Sequence, residues 1–299
     1  MRHTDDPWAD WLLRRRDGGS AALARQTRAH IAAHARRLLG LAGLVPGLRL
    51  ADIGCGEGLL SCQAFALCGG ALHLELNDVS PRLLRRARAV ARLGGYARHC
   101  RFSLADAVRL QHLPDASVDI AALRAVLAYV DDKPAALRAA WRVLRPGGRL
   151  ALAEPVFQDE ALAAAALRHA LQHMAQADAL LPLLLRWKAA QFPSDAAAIA
   201  RSAICSHNER DLLRLVRQAG FDHVHLELHI DQRPAPPCAW DVFLACAPHP
   251  LAPPLADILQ REFDAAERAR LEQALRPAVE SGRLEADDRI VYLVARKPA

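Results

Sequence analysis

Apolar residues return every three or four positions from Ala21 to Leu39, the spacing of one face of a helix, and the run can stop at Gly40. Through Gly47 it leads into a short apolar strand, Leu48 to Ile53, and then into a glycine-rich turn, Gly54 to Gly58, that opens another helix. The alternation continues. A strand from Ala71 to Asn77 ends at Asp78 and Val79, and a helix follows that Ser80 caps and Pro81 begins. Strands His99 to Leu104 and Ser117 to Leu123 come next, then a helix from Lys133 to Leu144 that stops at Pro146-Gly147-Gly148, then a fifth strand, Arg149 to Glu154. Strands and helices that alternate in this way predict a parallel sheet with helices on both faces.

Beyond Pro155 the pattern changes to long Ala/Leu segments, Glu160 to Ala190 and Asn208 to Ala219, the latter leading into an alternating strand, Asp222 to Ile230. A Pro-rich loop, Arg233 to Pro237, two or three helical segments between Trp240 and Glu280, and a last strand, Arg289 to Ala295, complete the chain. The last strand is expected to pair antiparallel with the preceding one. The roughly 55 residues between them then form an insertion, because hairpin loops usually take two to five.

Composition narrows the class. The 299 residues are 52% apolar, ample for a large core. No run of about 20 uncharged apolar residues is present, and Met1 to Gly19 mixes Asp5, Asp6, Asp10 and Asp17 with arginines, so membrane insertion and export are not expected and a cytoplasmic location is. The net charge of +6 is spread along helices without a basic block, which argues against nucleic acid as a partner. The seven cysteines, Cys55, Cys62, Cys68, Cys100, Cys205, Cys238 and Cys246, contain no C-x-x-C pair; reduced thiols and no metal site are expected.

The strongest chemical signal is Leu50-Ala51-Asp52-Ile53-Gly54-Cys55-Gly56-Glu57-Gly58, a strand running into glycines at every second position. Glycine is required where backbone turns with positive φ and a ligand lies directly on the chain. The spacing is G-x-G-x-G, not G-x-G-x-x-G, and Glu57 and Asp52 would repel a pyrophosphate while tolerating a ligand that carries a sulfonium and an ammonium. Asp78, at a strand tip, can accept from both hydroxyls of a ribose, or can serve simply as a helix-entry acid near the dipole. Glu75 competes for the ribose role but lies three residues deeper, on the opposite face. Asp106 ends the next strand and can accept from an adenine amino group, with the backbone of Ala105 and Ala107 reading the ring.

These stretches, LADIGCGEG at 50–58, NDVSPRLLRRA at 77–87, ADAVRLQHLPDASVDIAALRAVLAYVDD at 105–132 and AWRVLRPGGRLALAEP at 140–155, resemble the class I S-adenosylmethionine-dependent methyltransferases of the small-molecule type. RDLLRLVRQAGFDHV at 210–224 resembles the family's final helix and strand. The resemblance implies an α/β, Rossmann-like, doubly wound and mostly parallel seven-stranded sheet with helices on both faces, an antiparallel last strand and inserted C-terminal helices. It divides the chain into N-terminal helices or lid at 1–46, the cofactor core at 47–156, a helical cap at 157–207, and the last core elements at 208–299 with an insertion at 240–288. By the same resemblance S-adenosyl-L-methionine is the cofactor. Asp52 and the turn Gly54, Cys55, Gly56 and Gly58 would hold its methionine end, Asp78 the ribose, and Asp106 with Ala107 the adenine. Val79 is the substitute for the family's apolar partner of the ring, and Arg124 would border the reacting methyl group. Trp8 to Ser20, with Trp11 and Arg14 to Arg16, and the helices of 157–200 stand where the class builds a lid.

Methyl transfer is an in-line displacement that needs donor and acceptor held about 3 Å apart with water excluded, and no nucleophilic triad. A phenol or amine acceptor would call for one general base, for which His207, in the turn before a helix, and His173 are the candidates. Tyr129 follows the fourth strand and can touch substrate. Trp187 and Trp240 are lining candidates for an apolar acceptor pocket, although packing is their plainer role. The expected partner is a small-molecule acceptor, and a homodimer stays open. A nicotinamide-dependent oxidoreductase would need G-x-G-x-x-G. A non-catalytic methyltransferase-like subunit is opposed by the intact Asp52, Gly54, Gly56, Asp78 and Asp106. An arsenite methyltransferase would need Cys62, Cys68 and Cys205 to converge, which no motif spacing compels.

Overall fold

The computed structural model describes residues 6–174 and 178–299, which fall into two compact units. The first comprises residues 28–156, 207–229 and 289–299, the second 1–27, 157–206 and 230–288.

The strands are β1 (Arg49–Ile53), β2 (His73–Asp78), β3 (Cys100–Leu104), β4 (Val118–Arg124), β5 (Leu144–Pro155), β6 (Asp222–Pro234) and β7 (Glu285–Arg296). They form one sheet in the order β3-β2-β1-β4-β5-β7-β6. The pairs from β3 through to β5 are parallel, as the alternation led one to expect, and the last strand, β7, is antiparallel to β5, lying between it and β6, the strand that the sequence pattern set beside it. From β1 the chain winds one way to β2 and β3, then returns to add β4 and β5 on the other side. The carboxyl ends of β1 and β4 therefore mark the point where the winding reverses, the place where open parallel sheets open a crevice.

Both faces are covered, which is why β1 and β4 read as nearly unbroken apolar runs. Over one face lie α5 (Lys133–Val143) and α9 (Glu209–Gln218), which bury Leu137, Val143, Leu212 and Val216 against Ile53, Leu123 and Leu152. Over the other lie α2 (Ala21–Leu41), α3 (Leu59–Cys68) and α4 (Pro81–Leu93), with Leu38, Leu39, Leu60 and Leu84 against Leu50, Leu74 and Leu76. Local chemistry sets the helix starts: Ser80 accepts from the Leu83 amide at 3.0 Å with Pro81 at the first position, and Asn208 and Asp211 form a capping box on α9.

The second unit holds a short α1 (Pro7–Asp10) and one wide helical turn at Trp11–Arg15, then α6 (Gln158–His173), α7 (Leu181–Gln191), α8 (Ala196–Arg201), α10 (Trp240–Ala245), α11 (Leu255–Glu262) and α12 (Ala265–Ser281). Its core is Leu183, Leu255, Ile258, Leu259, Phe263 and Leu271. Among the described residues no helix is long and apolar enough to cross a membrane.

Several boundaries differ from the sequence expectation. Helix α2 runs through Gly40 to Leu41, and β5 begins at Leu144, taking in Pro146-Gly147-Gly148 with a register shift against β4. The Ala/Leu segment from Glu160 to Ala190 is two helices, α6 and α7, and residues 175–177 between them lie outside the described residues.

Candidate functional site

The glycine turn leaves β1 at the reversal point with Gly54, Gly56 and Gly58 at φ of 67°, 56° and 81°, the left-handed region that a side chain resists. A Cβ added at Gly54 would stand 2.5 Å from the Val126 side chain, so the loop after β4 rests directly on this turn. The turn is pinned from β2: the Cys55 amide donates to the Asn77 carbonyl at 2.9 Å and the Gly56 amide to Asp78 Oδ2 at 2.8 Å.

Glu57 does not stand alone in this turn. Its buried carboxylate is met by Arg28 of α2 (Nε to Oε1, 3.4 Å) and Arg86 of α4 (Nε to Oε2, 4.0 Å). These residues, with Leu59, Cys62 and Val90, line a cleft of about 190 Å³. The repulsion that the sequence assigns to Glu57 is thereby largely cancelled, and the acidic character of the site rests on Asp52 and Asp78.

Asp52 is 2% exposed, and its Oδ2 accepts from Ser61 Oγ at 2.6 Å and the Ser61 amide at 3.1 Å. Burial pushes its carboxyl up to about 6, against the pull of the Ser61 bonds and the Arg124 charge. Asp78, also buried, accepts from the Ser80 amide at 2.8 Å through Oδ1, so one carboxylate joins the tip of β2, the glycine turn and the start of α4. Glu75 lies beside Arg101 of β3 at 3.9 Å, and burial raises its carboxyl above the ordinary range. After β3, the exposed Asp106 accepts from the Val108 amide at 3.0 Å, and Ala107 is buried. The Ala105 amide donates to the Asp78 carbonyl at 3.1 Å and Asn77 Nδ2 to the Ala105 carbonyl at 3.2 Å, so the ends of β2 and β3 are tied together. Val79 is 50% exposed beside Asp78. Asp52, the turn Gly54–Gly58, Asp78, Val79, Asp106, Ala107 and Arg124 thus all lie at the carboxyl ends of β1 to β4.

A second group escaped the sequence reading. Glu154, fully buried near the end of β5, accepts from the amides of Val126 (3.0 Å) and Ala128 (3.0 Å). Burial raises its carboxyl, while those amides and Arg124 oppose the rise. Lys133, also buried, donates from Nζ to the Val130 carbonyl at 2.9 Å. Between them the loop 124–130 is held in place, with Ala125 in the left-handed region at φ 53°. An ionisable residue closing the apolar run Leu150-Ala151-Leu152-Ala153 was the available signal for Glu154.

For the half-buried Tyr129, burial and then the Glu154 charge push the phenol up, so it stays protonated at neutral pH and can donate a hydrogen bond but not act as a base. His207 is buried directly before the Asn208 cap of α9 in the first unit. His173 is exposed at the end of α6 in the second, where its Nδ1 bonds the His169 carbonyl at 2.8 Å. Trp187 and Trp240, in that unit, both pack on Phe243. All seven cysteines are free thiols.

With this geometry in hand, known proteins can be compared. A family model described as a methyltransferase domain matches residues 44–227. The ubiquinone/menaquinone biosynthesis C-methyltransferase UbiE of Vibrio vulnificus is 35% identical over 125 residues, 41% of this chain and 48% of that protein. UbiE of Shewanella putrefaciens is 33% identical over 119 residues, 40% of this chain and 47% of that protein. The chain spans about half the length of these curated relatives. Among solved structures, YcgJ of Bacillus subtilis (16% identical, TM-score 0.53) covers 89% of this chain and 99% of its own. Phosphoethanolamine N-methyltransferase 2 of Haemonchus contortus, solved with phosphomonomethylethanolamine and S-adenosylhomocysteine, is 16% identical with a TM-score of 0.51, covering 98% of this chain and 56% of its own. At such identities the structures speak to the fold.

Proposed function

The chain belongs to the methyltransferase domain family, and from that premise we propose that it moves a methyl group from S-adenosylmethionine to a small organic acceptor. The observation that carries this reading is the glycine turn at the reversal of the sheet, a cradle whose Gly54, Gly56 and Gly58 all stand at positive φ, with the acids Asp52 and Asp78 on its two sides. A donor with a sulfonium and an ammonium suits this acidic cradle; a pyrophosphate does not.

In this reading the turn Gly54, Cys55, Gly56 and Gly58 carries the amino-acid end of the cofactor, with Asp52 supplying negative charge behind it. Asp78 takes the ribose hydroxyls, and Asp106 and Ala107 read the adenine while Val79 offers an apolar surface to its ring. Bound S-adenosylmethionine supplies an activated methyl group on a positively charged sulfur. The protein then has to orient the acceptor and exclude water. Arg124 and the loop that Glu154 holds border the methyl position, where Tyr129 keeps its proton and can orient an acceptor oxygen or nitrogen. His207 is the candidate base for an acceptor that must lose a proton. The free thiols fit a reducing compartment such as the cytoplasm.

Thermal shift and calorimetry with S-adenosylhomocysteine and with NAD test the reading directly. Micromolar-range binding of S-adenosylhomocysteine without stabilisation by NAD is expected, and stabilisation by NAD alone would overturn it. A screen over phenols, amines and quinone precursors then identifies the acceptor.

A further inference from the structure

Away from the glycine turn, α2 carries two histidines one helical turn apart, His30 and His34, both half-buried. Side chains at i and i+4 lie one above the other on a helix face. Here their Nε2 atoms are 2.9 Å apart, with the ring planes at 88°. At a metal–nitrogen distance of about 2.0–2.1 Å such a separation subtends about 90° at a shared metal, whereas a tetrahedral angle would need the nitrogens about 3.4 Å apart. Adjacent positions of an octahedral or square-planar ion have the former angle.

His34 is also held from behind. Its Nδ1 is hydrogen-bonded to the hydroxyl of Tyr292, a residue of β7 that is 1% exposed and stacks near the imidazole at 6.0 Å. When the Nδ1 proton is the one given to the tyrosine oxygen, the lone pair of His34 is on Nε2 and points at His30. Metal-binding histidines are oriented by this arrangement, with the second ring nitrogen donating to a fixed oxygen. The neighbouring histidines are used otherwise. His225 and His229 of β6 both bond Glu227 through Nε2, at 3.0 Å and 2.9 Å, and Arg37 pairs with the same carboxylate.

We propose that His30 and His34 form a chelating site for a divalent transition metal that favours octahedral or square-planar geometry, of the Ni²⁺ or Cu²⁺ kind, with Tyr292 as the group that positions His34. The proton shared between the two Nε2 atoms leaves that position as the metal enters, and His30, which stays neutral, then carries its one ring proton on Nδ1. Among the described residues no group of three or more His, Cys, Asp or Glu is gathered to hold a metal, so water completes the coordination shell. Two imidazoles and water make a modest-affinity site that clips two turns of α2 together.

Calorimetric titration of the full-length chain with NiCl₂ in a non-chelating buffer, alongside thermal melting, tests this. One equivalent of Ni²⁺ should bind and raise the melting temperature. His30→Ala and His34→Ala should each lose that binding by at least tenfold, Tyr292→Phe should weaken it by roughly tenfold or more, and His229→Gln should titrate like the parent. Metal-free melting curves verify that each variant is folded, and His30→Gln replaces His30→Ala if that variant is not. The proposal is overturned if the parent chain binds neither Ni²⁺ nor Cu²⁺, which leaves the pair as a plain N–H···N bond. Unchanged binding in the folded His30 and His34 variants overturns it too, since the metal then sits on other histidines or on the thiols. Because the readout is metal binding alone, it does not depend on the proposed methyl transfer.

Discussion

Asp52 shows what burying a carboxylate costs at the scale of one residue. Its carboxyl is pushed from 3.8 to about 6, mainly by burial, so the folded chain binds a proton more tightly than the unfolded one. Stability from this group is complete below the unfolded value and is lost as pH rises to about 6, a penalty on the order of 3 kcal/mol above that pH. Asp52→Asn keeps an acceptor for Ser61 and removes the penalty, so in urea melts the ligand-free variant should gain stability at pH 7.5 and gain little at pH 4. A cation seated near Asp52 reverses the balance. Binding of S-adenosylmethionine to the parent should therefore weaken as pH falls below about 6, and calorimetry across pH 5 to 8 should show that slope vanish in Asp52→Asn. At Asp78 the expected loss is larger, because two charge-assisted bonds to a ribose are worth together roughly 2–4 kcal/mol. Asp78→Ala should weaken S-adenosylhomocysteine binding tens-fold or more, while Glu75→Ala, which only frees Arg101, should change it little; the reverse order would mean that Glu75 is the ribose ligand.

At the scale of elements, the glycine turn is shaped by three other pieces of chain: β2 through Asn77 and Asp78, α2 and α4 through Arg28 and Arg86, and the loop after β4 through Val126. Glu154 is the hidden member of the set, because the Val126 amide that it holds fixes the side chain resting on Gly54. Glu154→Gln can keep one oxygen for the Val126 and Ala128 amides, which share Oε2, but its NH2 group then faces the Val126 amide donor to donor where Oε1 accepted at 3.2 Å, a buried mismatch that costs about 1–3 kcal/mol. Denaturant unfolding should show that loss, and cofactor affinity should fall with it; a variant as stable as the parent would mean the loop is held by Lys133 alone. The turn, its spacing and its flanking acids were legible from sequence because each is a local pattern. Glu57's arginines were not, since Arg28 stands 29 residues before it and no local periodicity links them. The same limit explains the element ends. Gly40 reads as a stop, yet α2 continues because Leu38, Leu39 and Ala42 are wholly buried and hold the helix against the sheet. The uniform Ala/Leu run from Glu160 hid a break that Pro182, at the start of α7, marks.

Over the whole molecule, alternation alone predicted a parallel sheet covered on both faces, and right-handed strand–helix–strand connections leave few arrangements of such strands, of which β3-β2-β1-β4-β5 is the one adopted. The second unit was not legible in that way: residues 1–27, 157–206 and 230–288 have no shared motif, and what joins them is packing between segments far apart in sequence. His249 is where the three meet. Its ring is 2% exposed and lies against Phe157 and Phe192, its Nε2 bonds the Gln191 carbonyl at 3.0 Å, and its Nδ1 accepts from the Leu251 amide at 3.2 Å. The ring is thus neutral, with Nε2 carrying the proton. Burial lowers its pKa below the ordinary 6.5, the Gln191 bond opposing and the nearby Arg15 adding to the fall. The sign follows: the unfolded chain takes up the proton first, so His249's contribution is complete above about 6.5 and is lost as pH falls through that value toward the lower folded one. Protonation at Nδ1 also removes the acceptor of the Leu251 amide. Hydrogen exchange measured from pH 8 down to 5 should therefore show protection at Leu251 falling below about 6.5 by more than the intrinsic pH dependence of exchange allows. His249→Gln should start less protected and lose that extra slope, whereas a parent whose Leu251 protection tracks intrinsic exchange alone would show that the ring stays neutral throughout and that the three segments are joined by their apolar contacts.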